Sequence, residues 1–148
     1  ADLEAREAAL RSIVEECVRR VDPAPRYAVP DTAALGQVPN TRDELETFLR
    51  RLDQVSHAMA IAQTAYSKAL QDHSELDSRL EAYHAKATTK GVAEVADVAQ
   101  AYQLARGALD ERPSRMLLAQ QLVAVYQTYL QTTPAPRAAH QATSAEEP

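Results

Sequence analysis

The chain has no Trp, one Phe, one Cys and three Gly in 148 residues, and each scarcity excludes something. Without Trp and with a single Phe, it lacks the large rings that let a compact globule bury much apolar area per residue, and helices with narrow apolar stripes suit it better than a sheet. Strand-like alternation is absent as well. A single cysteine rules out an intramolecular disulfide and a Cys-based zinc site, and a lone thiol on an apolar helix face fits a reducing cytoplasm. The 16 Lys and Arg are scattered among 21 Asp and Glu, for a net charge of -5, so no basic cluster offers a footprint for a phosphate backbone. Nucleic acid is not an expected partner. No apolar run approaches the ~20 residues that span a bilayer, and the first residues do not read as a signal peptide, so no membrane insertion is expected within this segment. The chain starts at Ala1 without an initiating Met, as a piece of a longer protein would. Its expected setting is the cytoplasm, free or as the soluble domain of a membrane protein.

What the chain does have is one stretch, residues 40 to 90, of roughly fifty residues free of Gly and Pro, against ~11 to 12 for an average globular helix. Counting in sevens places Leu45, Leu52, Met59, Tyr66, His73, Leu80 and Ala87 on one row and Phe48, Val55, Ala62, Ala69, Leu76 and Tyr83 on the other. Two such rows make a coiled-coil seam. Thr41 followed by Glu44 reads as a capping box at its start. At ~1.5 Å per residue the helix would be about 70 Å long. The alternative is a break at 71 to 74, where Asp72, His73 and Ser74 are modest helix formers.

Around this element the order is regular. Leu3, Leu10, Ile13, Val14, Cys17, Val18 and Val21 recur at helical spacing and predict a first helix over residues 2 to 20, with Cys17 on its buried stripe. Pro23, Pro25, Pro30, Pro39 and Gly36 make 22 to 40 a linker, yet Tyr27, Val29, Leu35 and Val38 are too apolar for a free tether, so it should lie along the bundle. Gly91 should end the long helix. Val92, Val95, Val98 or Ala99, Tyr102, Ala105 and Leu109 mark a third helix, and Pro113 in a first turn followed by Met116, Leu117, Leu122, Val123, Tyr126 and Leu130 a fourth. Residues 132 to 148, rich in Pro, Ala, Ser and Glu, carry no apolar stripe and read as a disordered tail. The fold class is therefore all-α: a helical bundle built on one long coiled-coil helix with a C-terminal antiparallel hairpin, residues 41 to 131 forming one domain with 1 to 40.

No catalytic residue stands out. The chain has no Gly-rich phosphate loop, His-Glu-x-x-His or nucleophile elbow, and an enzyme is not expected. His73, Asp77 and His84 lie along one side of the long helix, but the two histidines would be about 16 Å apart along its axis, too far to share one ion. No metal or other cofactor is expected; His73 reads as a polar register-setter in the seam, with Asp77 and His84 flanking it in water.

From Arg79 the sequence runs Arg79-Leu80-Glu81-Ala82-Tyr83-His84-Ala85-Lys86-Ala87, then Gly91, Tyr102, Ala105-Arg106, Leu109, Pro113, Leu122-Val123 and Tyr126-Gln127. This third of the chain resembles the membrane-associated partners of protein kinase G in actinobacteria, part of a system that senses dicarboxylic amino acids and glutamine through a solute-binding lipoprotein. The resemblance implies a bacterial signalling scaffold that relays amino-acid sensing to a Ser/Thr kinase through protein contacts. The alternative is a structural or adaptor coiled coil, tetratricopeptide-like or filament-like. Partner contacts are expected at Tyr83, His84, Lys86, Tyr102, Arg106, Tyr126 and Gln127, with Tyr83, Tyr102 and Tyr126 meeting in a small core and the others facing out. Self-association is expected along Leu45, Phe48, Leu52, Val55 and Met59, because the first helix can cover only one side of that half, and an open apolar seam favours a homo-oligomer.

Overall fold

A computed structural model describes residues 1–136; the expected tail from residue 137 onward lies outside them. The described residues are 76% helical. They form α1 (Asp2–Arg20), α2 (Arg42–Lys90), α3 (Ala96–Asp110) and α4 (Met116–Thr132), with a short 3-10 turn, Thr32–Leu35, in the linker. The long helix is unbroken through Asp72, His73 and Ser74, because the seam row that contains His73 is buried there, and burial outweighs weak local propensity.

One expectation fails locally. Val21–Asp22 (β1) and Ser114–Arg115 (β2) pair in parallel, Val21 opposite Ser114, so among the described residues extended pairing exists at one place. Both residues of that first pair are buried. Pro113 accordingly precedes a strand residue and does not start α4, whose first residue is Met116. The third helix also begins later than its apolar pattern suggests, at Ala96, with Val92 and Val95 in the turn before it.

The described residues divide into two compact units, residues 1–74 with 111–116, and residues 75–110 with 117–136. In the first, Leu10, Cys17 and Val21 of the α1 side meet Met59, Ala62 and Tyr66 of α2 in a buried cluster, with Leu3, Ile13, Val14, Val55 and Met116 packed on it. Each fully buried Leu, Val or Met there is worth about 1.5 to 3 kcal/mol relative to exposure. Val18, one residue past Cys17, points away and is exposed. Arg6 of α1 reaches Ser56, donating to its hydroxyl at 2.9 Å and its carbonyl at 3.3 Å.

The linker is pinned mainly by hydrogen bonds; of its apolar residues Val29 packs on the core, whereas Tyr27 and Val38 are exposed. The Tyr66 hydroxyl accepts from the Tyr27 amide at 3.2 Å and donates to the Tyr27 carbonyl at 3.0 Å, while Ala24 and Val29 pack against the core. Glu7 accepts from both the amide (2.9 Å) and the hydroxyl (2.6 Å) of Thr32, the first residue of the 3-10 turn. Those two bonds, and then Arg11, hold the Glu7 carboxyl down to about 2.

In the second unit Leu76, Leu80 and Ala87 of α2 are buried, as are Val98, Ala101, Ala105 and Leu109 of α3 and Ala119, Val123, Tyr126 and Leu130 of α4. Leu117, expected on the α4 stripe, is exposed. Gly91 ends α2 with φ +80: its amide donates to Thr88 and the amide of buried Val92 to Ala87, which is a Schellman close.

Candidate functional site

In the C-terminal unit the last turns of α2 and α4 form a groove of about 570 Å³. From α2 it takes Tyr83, Ala85, Lys86, Thr89 and Lys90, and from α4 Gln127, Leu130 and Gln131. Tyr83, Lys86 and Lys90 stand at i, i+3 and i+7, and Gln127 and Gln131 at i and i+4, so helical spacing alone puts each set on one face. The Lys86 ammonium sits 5.9 Å from the centroid of the Tyr83 ring, within cation-π range. Lys90 donates to the Leu130 carbonyl at 2.9 Å, satisfying one of the last carbonyls of α4 and fixing the floor of the groove to its wall.

A second cluster secures α3 to α2. The Arg106 guanidinium binds Asp77 (3.0 and 2.7 Å), Asp110 (2.8 to 3.2 Å) and Glu81 (2.9 Å). Asp77 first, then Asp110, push its already high pKa further up, against the cost of its partial burial. Glu81 also accepts from the Tyr102 hydroxyl at 2.9 Å. Burial, then that bond, raise the Tyr102 phenol above its ordinary value.

Tyr102 is also the centre of a small ring stack. It lies parallel to His84, centroids 4.0 Å apart, and tilted against Tyr126 at 5.6 Å. Among the described residues, then, the ring that completes this cluster is His84, while Tyr83 lines the groove. His84 does not sit in water: its Nδ1 is buried, and neither it nor the buried Tyr126 hydroxyl has a hydrogen-bond partner among the described residues. Burial pushes the Tyr126 phenol up.

The residues expected to read a partner are thus sorted into three roles. Tyr83, Lys86 and Gln127 share the groove; His84, Tyr102 and Tyr126 stack; Arg106 is engaged with carboxylates and does not face out alone. Sequence reasoning missed Lys90, Leu130 and Gln131 in the groove, although the repeat of Lys86 at Lys90 and of Gln127 at Gln131 was a readable signal.

The expected self-association seam is graded along the first part of α2. Met59 is buried in the intrachain cluster and Val55 packs against it, so both are occupied within the chain. Leu52 and Phe48 are half-buried, and Leu45 and Leu49 are exposed at 37% and 52%.

Among the described residues no group of three or more metal-ligating side chains comes together, and no helix is long and apolar enough to cross a membrane. No known protein-family model matches the chain, no characterised protein resembles it significantly, and no solved structure does.

Proposed function

We propose that the chain is a non-catalytic helical interaction module that holds a protein partner in the groove between α2 and α4. The observation that carries this reading is the make-up of the groove. Tyr83 and Leu130 supply apolar contact, while Lys86, Lys90, Gln127 and Gln131 supply donors around it. Such a mixture of an apolar floor and a polar rim suits a short protein segment. Pre-organisation supports it too, since Arg106, Tyr102 and Lys90 lock the three helices before a partner arrives, leaving less ordering cost to binding.

The resemblance over residues 79 to 130 narrows the reading to bacterial signal transduction in the cytoplasm, with a Ser/Thr kinase of the amino-acid-sensing system as the partner. Hydrogen exchange of the full chain with and without purified kinase tests this. Protection centred on 83–90 and 127–131 is expected; protection elsewhere, or none, rejects it.

A second reading, a structural or adaptor coiled coil, is favoured by the exposed Leu45 and Leu49 on the long helix. It predicts concentration-dependent filaments of the purified chain by electron microscopy with no partner present.

A further inference from the structure

We propose that the exposed start of α2 pairs antiparallel with the same stretch of a second copy of this chain, about a two-fold axis passing between Thr47 and Phe48. This rests on a different surface from the groove and stands or falls separately. Leu45, Leu49 and Leu52 sit at i, i+4 and i+7, one stripe on one helix face; Leu45 and Leu52 continue the heptad row of Met59, which α1 covers further along, and Leu49 lies beside that row. Leu45 and Leu49 are exposed and Leu52 half-exposed, so among the described residues these two turns are only partly covered, the linker residues Leu35 and Pro39 lying on the Phe48 side.

The charges beside the stripe select the occupant. On one flank lie Glu44 and Arg51, on the other Arg42 and Asp53, all exposed. Antiparallel pairing about that axis sets Glu44 opposite Arg51 of the other copy and Arg42 opposite its Asp53, and by symmetry each pair occurs twice. The same register brings Leu45 against Leu49 and Leu52 of the second copy. A parallel in-register pair would set every residue level with its own twin and leave Glu44 and Arg51 about 10 Å apart along the axis. Within one chain these two stand seven residues apart, and the Glu7 to Arg11 type of i, i+4 bridge is beyond their reach. Two helical turns bury less than a stable dimer requires, so the pairing is a weak one, populated at hundreds of micromolar protein.

Sedimentation of the full chain and of Glu44→Arg and Arg51→Glu variants, alone and mixed, tests it. Each variant alone opposes like charges twice and should self-associate about tenfold more weakly than the parent. The equimolar mixture restores both opposite-charge pairs and should associate as the parent does. The substitutions are on exposed side chains, and circular dichroism checks that the fold is kept. A parent that stays monomeric at hundreds of micromolar, single variants that associate like the parent, or a mixture no stronger than its components would each overturn the pairing.

Discussion

Arg106 holds Asp77 with both arms of its guanidinium, at 3.0 and 2.7 Å, across 29 residues of sequence. The bond joins α3 to α2, and its side chain is 21% exposed, so water screens it only in part. Arg106→Lys keeps the charge and loses the two-armed grip, leaving Asp77, Glu81 and Asp110 to share one ammonium. A loss of about 1 to 2 kcal/mol in urea unfolding is expected. Lysine at this position with unchanged stability would show that the cluster does not tie the helices.

Two tyrosines should respond oppositely to loss of the hydroxyl. The Tyr66 hydroxyl makes two bonds to the backbone of Tyr27, and Tyr66→Phe leaves that peptide without them, a cost of about 1 to 2 kcal/mol. The Tyr126 hydroxyl is buried with no partner among the described residues, so Tyr126→Phe should be neutral or stabilising by up to about 1 kcal/mol. Burial raises the Tyr126 phenol, so the folded state favours its neutral form. That contribution is present below the ordinary value of 10.0 and lost as pH rises through the higher folded value, which Tyr126→Phe should abolish. Thermal melts across alkaline pH read both effects.

Glu7 sets an acid-side dependence. Its carboxylate is held down to about 2 by Thr32, against an ordinary 4.5, so its contribution is present above pH 4.5 and drains away as pH falls toward 2. Glu7→Gln should lower stability at neutral pH and flatten the profile between those values. Urea unfolding at stepped pH measures it, and a profile as steep in the variant as in the parent would contradict it.

Gly91 carries φ +80, and a Cβ there would lie 3.3 Å from Pro136 Cγ. Gly91→Ala therefore combines left-handed strain with a tight contact, and a loss of at least about 1 kcal/mol in melting or urea unfolding is expected.

Much of the architecture was legible because helical period is a local property. Leu10 and Cys17 declared the inner face of α1, and the row from Met59 through Ala87 declared that of α2. Which part of a stripe finds cover is not local. Leu45 and Met59 occupy the same heptad row, and only α1 decides that one is exposed and the other buried. The pairing of Val21 with Ser114 joins residues from distant parts of the chain, so nothing near Pro113 announced it. Of the partners of Arg106 only Asp110, at i+4, could be read from spacing; Asp77 and Glu81 lie 29 and 25 residues away. In the groove Tyr83, Lys86 and Gln127 were anticipated as chemistry, but that they share one wall-and-floor arrangement without His84 or Arg106 emerged only from the packing of α4 on α2.

The most direct measurement is a calorimetric titration of the full chain with the purified Ser/Thr kinase, beside a variant carrying Lys86→Glu and Gln127→Ala. Both side chains line the groove, and Lys86 stands over the Tyr83 ring. Saturable binding by the parent, weakened at least about tenfold in a variant whose helicity and melting are unchanged, is the result predicted. Equal binding by parent and variant, or no heat of binding from either, would contradict it.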